Sequence, residues 1–329
     1  MESQTILVTG AAGFIGSRTS ELLLLNNFNV IGVDNLNDYY NVKIKEERLK
    51  VLSKYKNFTF HKKDIEDINS IKELFHENNF HSVINLAARA GVRYSLENPF
   101  IYCNTNYIGT LNILDLMYKT GVKKYVMAST SSIYAGSSLP YKENSCVNNP
   151  ISPYAASKKA AELIAYTYHH QFDIDVSILR YFTVYGPSGR PDMSILRFIK
   201  WIDEEKPIVI YGDGSQSRDF TYIDDIAKGT IKACLTKNDY EIINLGGGKN
   251  PISINELIIK IEKLIGKKAI RDEKPFHKAD VQETWADISK AKKLLNWEPT
   301  ISLDQGLSET VNWYFKNKNW LNDIDFLQS

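Results

Sequence analysis

Thr9-Gly10-Ala11-Ala12-Gly13-Phe14-Ile15-Gly16 is the stretch on which the reading of this chain turns. It follows the apolar run Ile6-Leu7-Val8, which reads as a strand, and it opens residues 14–26, which read as a helix. The glycines fall at GxxGxxG spacing. Glycine lets a backbone turn tightly and approach a pyrophosphate, whose charge then meets the N-terminus of the helix. A glycine-rich turn is weak evidence alone and much stronger between a first strand and a first helix.

Outward from this turn the pattern repeats. Val30-Ile31-Gly32-Val33, Phe58-Thr59-Phe60-His61, Ser82-Val83-Ile84-Asn85-Leu86, Tyr125-Val126-Met127-Ala128 and Val176-Ser177-Ile178-Leu179 read as further strands, separated by longer amphipathic stretches. Continuous apolar strands alternating with helices imply a parallel sheet covered on both faces. The fold class is therefore α/β, a doubly wound parallel (Rossmann) sheet with a smaller mixed α/β substrate-binding domain. After Arg180 the rhythm breaks at the turn-rich Gly186-Pro187-Ser188-Gly189-Arg190-Pro191, and short strands such as Ile208-Val209-Ile210-Tyr211 mix with helical segments. The expected division is residues 1–183, with 222–246 returning, for the dinucleotide domain, and 184–221 with 247–329 for the substrate domain.

Within this frame Asp34 ends the second strand, where a carboxylate can accept both ribose hydroxyls and repel a 2′-phosphate, so NAD is the expected cofactor. Asn35 follows it. Asp64-Ile65 lies after the third strand, where an adenine could be read, and Leu86-Ala87-Ala88 ends the fourth with small residues suited to close cofactor approach.

Tyr154-Ala155-Ala156-Ser157-Lys158 places a phenol and an ammonium at i and i+4, on one face of a helix expected to begin near Pro153. A free phenol, with a pKa of about 10, is a poor base at neutral pH; a neighbouring cation stabilises the phenolate. Ser129-Thr130-Ser131-Ser132 closes the fifth strand, and strand C-termini border the ligand crevice of such sheets.

Composition narrows the function classes. The 329 residues carry 40 basic and 39 acidic side chains, a net charge of +1, which predicts no nucleic-acid surface. An anionic substrate must then be held by local arginines. Cys103, Cys146 and Cys234 are widely spaced and there is no HExxH, so neither a disulfide framework nor a metal site is expected. The absence of a signal-like segment or a long apolar run points to a cytoplasmic protein with no membrane insertion.

Together, TGAAGFIG, NLAA, STSS-I-Y, YAASKK and RDFTYIDD resemble the extended short-chain dehydrogenases that modify nucleotide sugars, over essentially the whole chain. The resemblance is closest to UDP-glucuronate 4-epimerases, through residues 34–40, 90–99, 183–193 and 280–287. It implies that Tyr154 is the base, Lys158 its partner and Thr130 the family's catalytic hydroxyl. It implies that Asn106 supports the cofactor side, that Arg218 binds UDP phosphates, that Asp280 lies near the uridine ribose, and that Thr183 and Arg190 lie near the sugar carboxylate. Arg89, Arg93, Ser131, Ser132 and Tyr211 complete the expected substrate-binding set. The family also implies a homodimer, through helices near 95–119 and 153–171. Three positions depart from the glucuronate group: Arg89 stands for Gln, Ser188 for Trp and Ala135 for Gly.

The implied reaction is C4 epimerisation of a UDP-sugar, most simply UDP-glucuronate to UDP-galacturonate, through a transient 4-keto sugar. Dehydratases carry Thr-Asp-Glu where this chain has Thr130-Ser131-Ser132, and decarboxylases of UDP-glucuronate keep a glutamate at the Ser132 position. The hydroxyls of Ser131, Ser132 and Thr183 are expected to hold the sugar carboxylate away from the geometry that expels CO2. Two alternatives stand beside this reading: 4-epimerisation of UDP-glucose or a UDP-N-acetylhexosamine, and decarboxylation of UDP-glucuronate. A non-catalytic NAD sensor on the same fold is disfavoured by the intact Thr130, Tyr154 and Lys158.

Overall fold

The computed structural model describes residues 4–249, 251–278 and 280–326. Its centre is a seven-stranded parallel sheet. The strands are β1 (Thr5–Thr9), β2 (Asn29–Asp34), β3 (Phe58–Lys62), β4 (Ser82–Asn85), β5 (Lys124–Thr130), β6 (Asp175–Tyr181) and a last strand, Tyr240–Leu245, absent from the sequence expectations. The order runs from Tyr240–Leu245 through β6, β5, β4, β1 and β2 to β3, so the chain reverses direction across the sheet between β1 and β4. That reversal opens a crevice at the C-terminal strand ends, where Gly10, Leu86 and Thr130 lie. All four residues of β4 are buried, as are six of the seven in β5, as expected for strands covered on both faces.

Two apolar clusters sandwich the sheet. One joins Ile6, Val8, Leu23 and Ile84 to Ile226 and Leu245; the other joins Leu7, Val33, Leu74 and Ile113 to Ala161 and Val176. A third lies beside the sheet, built from the inward faces of the helices Ser194–Asp203, Ile254–Ile265 and Leu303–Leu321, with Ile208 and Ile210 of the strand Pro207–Tyr211. Phe14, Tyr40 and Ile44 pack into this third cluster too, so the glycine turn is held against the C-terminal half by apolar burial.

The helix Phe14–Leu25 begins where expected, and Pro153–Phe172 takes Pro153 at its first position with Ser152 accepting from the Ala155 amide. The helix expected near 95–119 is broken into Tyr94–Glu97, Pro99–Tyr102, a π-helical Cys103–Ile108 and Gly109–Thr120. Pro99 lacks an amide proton and forces Asn98 out of helical conformation (φ −136°, ψ 75°). The wider π turn follows, with Thr105 and Asn106 buried in it. The helices Lys43–Leu52 and Ile68–Glu77 were not legible as elements in the sequence reading.

Candidate active site

The crevice at the strand ends is a cavity of about 380 Å³. Gly10, Gly13, Phe14, Ile15, Gly16, Asp34, Asn35, Asp64, Ile65, Leu86, Ala87 and Ala88 line one part of it. Arg89, Thr130, Ser131, Ser132, Tyr154, Lys158, Thr183 and Arg190 also line it. A second cavity of about 320 Å³ adjoins it, sharing Tyr39, Ser131, Ser132 and Thr183, and it is lined by Arg93, Tyr211, Arg218 and Asp280. Of the cofactor-binding, catalytic and substrate-binding residues expected from sequence, only Asn106 lines neither wall. Its amide sits behind the first cavity, accepting from the Arg89 amide (2.9 Å) and donating to the Arg89 carbonyl (3.0 Å) and to Ser157 Oγ (2.9 Å). It thus ties the loop after β4 to the helix that carries Tyr154 and Lys158.

The glycine turn has no room for side chains. A Cβ on Gly10, whose φ is +68°, would lie 2.7 Å from the Ala87 nitrogen, and one on Gly16 would lie 2.0 Å from the Gly10 carbonyl oxygen. The Gly13 amide donates to the Gly10 carbonyl (2.9 Å), closing the turn at the start of the helix Phe14–Leu25. A dinucleotide pyrophosphate fits this cradle: bare backbone, a helix N-terminus and a carboxylate at the end of β2. Asp34 does more than face the cavity. Its Oδ2 accepts from the Ala12 amide (3.2 Å) and its Oδ1 from the Leu36 amide (2.9 Å), with Lys45 Nζ at 3.7 Å. The remaining lone pairs are those a ribose diol would use. Asn35 donates to Asp64 (2.8 Å), which joins the loops after β2 and β3.

Lys158 is 3% exposed, and burial drives its pKa down to about 8 against the opposing charge of Glu162. Burial also raises Tyr154 above the usual phenol value, opposed by a Thr130 hydrogen bond and the Arg190 charge. Thr130 Oγ1 further accepts from the Ser132 amide (3.1 Å) and donates to Ser132 Oγ (3.2 Å), so the hydroxyls of Thr130 and Ser132 are linked. Beneath them lies a buried network. Glu162 accepts from Arg180 Nε (2.9 Å), Arg180 Nη2 (2.8 Å) and Ser129 Oγ (2.6 Å), while Arg180 Nη1 reaches the Tyr134 hydroxyl (2.8 Å).

The cations divide between the two cavities. Arg190 is forked onto Asp192, with Nε to Oδ1 at 3.0 Å and Nη2 to Oδ2 at 2.5 Å. Burial opposes its charge, and Asp192 more than restores it. Tyr39, pushed up to about 12 by burial and the Asp192 charge, lies beside this pair. In the second cavity Arg93 pairs with Asp280 (2.6 Å) and stacks 3.6 Å above the Tyr211 ring. Arg218 lines the same cavity, with burial lowering its pKa against the charge of Asp280. Arg89, expected near the sugar, donates to Asn37 Oδ1 (3.3 Å) on the loop after β2. Asp219, next to Arg218 in the chain, is a scaffold: it accepts from the amides of Gly247 (2.6 Å), Gly248 (3.3 Å) and Ala286 (2.9 Å). The carboxylates on the first cavity wall are Asp34 and Asp64, both at the dinucleotide end; none lies on Thr130-Ser131-Ser132.

Sequence reasoning missed Lys45, Arg48, Tyr39, Arg197 and Asp192, all on or just behind these walls. Glu162 carried a signal, four residues after Lys158 on the same helix. Tyr39 and Asp192 lay within the stretches 34–40 and 183–193 that carry the resemblance, without a role of their own; Lys45, Arg48 and Arg197 lay in stretches with no motif.

Residues 7–310 match the family described as GDP-mannose 4,6 dehydratase. The chain belongs to this family of extended short-chain dehydrogenases. It is 62% identical to a UDP-glucuronate 4-epimerase of Thermodesulfobacterium geofontis, over 97% of this chain and 98% of the relative. Among solved structures it resembles the Bacillus cereus UDP-glucuronic acid 4-epimerase in complex with UDP-glucuronic acid and NAD, at 39% identity and a TM-score of 0.90, over 95% of this chain and 99% of that one. It also resembles the Thermotoga maritima UDP-glucose 4-epimerase with UDP-glucose, at 32% identity and a TM-score of 0.86, over 96% and 100% of the two chains. Dehydratase chemistry names the matched family, but the acids that dehydration requires are absent from the Thr130–Ser132 wall. Among the described residues no cluster suits a metal ion, and no helix is long and apolar enough to cross a membrane.

Proposed function

We propose that the protein is an NAD-dependent UDP-sugar 4-epimerase that interconverts UDP-glucuronate and UDP-galacturonate. One observation carries the choice of sugar. The cavity that holds Tyr154 and Lys158 also presents the cation Arg190 and a wall of hydroxyls, Thr130, Ser131, Ser132 and Thr183, with no carboxylate on that wall. Such a wall can accept an anionic sugar without supplying the acid and base of dehydration.

NAD, which Gly10, Gly13, Gly16 and Asp34 would hold, would supply the acceptor and then the donor of a hydride at C4 of the sugar. Tyr154 removes the proton of the 4-hydroxyl, directly or through Thr130, and gives it back after the 4-keto sugar has turned over. Lys158 keeps the phenolate accessible by its charge. Arg93 and Arg218 hold the diphosphate in the second cavity while the sugar rotates in the first. Ser131, Ser132, Thr183 and Arg190 restrain the carboxylate so that CO2 stays on the ring.

The active form is proposed to be a homodimer, and its place the cytoplasm. Leu96, Phe100, Ile108, Tyr118, Leu163 and Tyr166 are exposed on the segments 94–120 and 153–172, and Phe100 is 78% exposed. An apolar surface spread over two neighbouring helical segments supports pairing with a second copy. Sedimentation of a Leu163→Glu, Phe100→Glu variant as a monomer, beside a wild-type dimer, is the expected outcome.

The deciding experiment incubates the purified protein with UDP-glucuronate, without and with added NAD, and follows products by NMR. UDP-galacturonate is expected. A UDP-pentose or UDP-4-keto-pentose with released CO2 would make it a decarboxylase. Turnover of UDP-glucose or a UDP-N-acetylhexosamine in place of UDP-glucuronate would move the substrate to a neutral hexose.

A further inference from the structure

Arg48 lies on the inner face of the helix Lys43–Leu52 and is 4% exposed. Arg190, Arg180 and Arg93 each pair with a carboxylate, whereas the hydrogen bonds of Arg48 all go to neutral oxygens. Nε donates to the Ser188 carbonyl (3.1 Å) and Ser188 Oγ (3.3 Å). Nη1 donates to the Ala12 carbonyl (3.1 Å) and the Tyr40 hydroxyl (2.8 Å). Nη2 donates to the carbonyls of Ser188 (2.7 Å) and Gly189 (3.1 Å). The guanidinium carbon lies 5.9 Å from the centroid of the Phe14 ring and 5.7 Å from that of Tyr40.

Apart from the Tyr40 hydroxyl, these acceptors come from two places that sequence keeps far apart. Ala12 is in the glycine turn. Ser188 and Gly189 immediately precede Arg190, the cation that faces the catalytic cavity. Ser188 holds φ at +59°, a left-handed conformation that a non-glycine residue adopts at a cost. Two consecutive carbonyls of this loop converge on one guanidinium. The glycine turn is thus braced twice at Ala12, its amide by Asp34 and its carbonyl by Arg48.

A buried cation without a carboxylate is expensive, and neutral acceptors offset only part of the cost. The anion the turn is shaped to receive is a dinucleotide pyrophosphate. We propose that Arg48 is a positioning residue that couples dinucleotide occupancy to the conformation of the loop 186–193, and through it to the placement of Arg190 against an acidic sugar. The anion strengthens the hold of the guanidinium on the turn, and the same guanidinium fixes the loop. The sugar site is therefore complete only in the dinucleotide-bound protein. This rests on the proposed reading of NAD as cofactor and UDP-glucuronate as substrate.

The test uses binding on the full chain, stripped of NAD and reloaded. Calorimetry measures UDP-glucuronate and UDP, each with and without NAD, for wild type, Arg48→Lys and Arg48→Met. In wild type NAD is expected to tighten UDP-glucuronate by about tenfold more than it tightens UDP, within the usual range of coupling between sites. Lysine keeps the charge but has only three donors on one point, so it cannot span both loops. In both variants the extra gain is expected to fall below about threefold, with UDP affinity, which depends on Arg93 and Arg218, unchanged. An unchanged gain in the variants overturns the proposal, as does a wild type in which NAD affects both ligands equally. Hydrogen exchange of amides 186–193 in wild type, with and without NAD alone, is the second measurement: slower exchange with NAD is expected, and no change overturns it. If UDP-glucuronate fails to bind while UDP and NAD do, the proposed substrate is wrong, and the exchange result still decides the coupling.

Discussion

Replacing Lys158 by Met should make the cofactor-free protein more stable while it destroys activity. Burial lowers the Lys158 pKa from 10.5 to about 8. The folded state therefore holds this proton less tightly than the unfolded chain. That difference is a penalty of about 3 kcal/mol, present in full below pH 8. Between about pH 8 and 10.5 the folded protein has released the proton and the unfolded chain has not, so the penalty fades as pH rises through this window. A methionine of similar length carries no such penalty. For a domain of this size about 3 kcal/mol corresponds to a Tm gain of roughly 6 °C at pH 7. The assay is thermal unfolding of NAD-stripped wild type and Lys158→Met at pH 7, 9 and 10, beside turnover of the NAD-loaded proteins at pH 7. Expected are a Tm advantage for the variant at pH 7 that shrinks toward zero by pH 10, and a rate about 10²–10⁴-fold lower. A variant no more stable than wild type at pH 7, or an advantage that does not change with pH, would refute the reasoning.

The opposite sign is expected for Glu162→Gln. Both side chains of the Arg180–Glu162 pair are 1% exposed, and removing one partner of a buried ion pair costs about 3–5 kcal/mol, read as a Tm loss of several degrees. Burial alone would raise the Glu162 carboxyl, but the Arg180 hydrogen bonds and charge hold it below its usual value. Its contribution is thus present in full above the usual carboxylate value and lost as pH falls below that value toward the lower folded one, so wild type and variant should converge in Tm at low pH. Gly16→Ala places a Cβ 2.0 Å from the Gly10 carbonyl oxygen, and calorimetry should show NAD binding weakened by at least about tenfold; affinity within twofold of wild type would mean the turn is not the cradle inferred.

Much of this site was legible before any coordinates. The glycine turn, Asp34 and the Tyr154/Lys158 pair are local: each depends on spacing within one strand, turn or helix, and backbone geometry fixes what such spacings do. The alternation of apolar strands with helices likewise fixed the parallel sheet, because strands covered on both faces admit few other arrangements. Edge and break points were harder. Tyr240–Leu245 carries Glu241 and Asn244 among its apolar residues, and pairing with β6 makes it a strand more than composition does. The interruption at Pro99 was written in the sequence, but the π turn after it follows from tertiary packing, with Thr105 and Asn106 turned inward.

What sequence alone determined, then, is which residues are candidates for the chemistry, since candidacy of that kind belongs to residue type and short-range spacing. Tertiary structure decided how each charge is compensated. Arg190 and Asp192 are two residues apart, yet nothing in their spacing tells a fork from a solvated pair. Arg48 and Ser188 are separated by 140 positions, and only the closure of the C-terminal half over the glycine turn brings them together. Burial makes that difference: the partner of a charge matters in proportion to the water it has lost, and water is excluded by the whole fold rather than by any one segment of it.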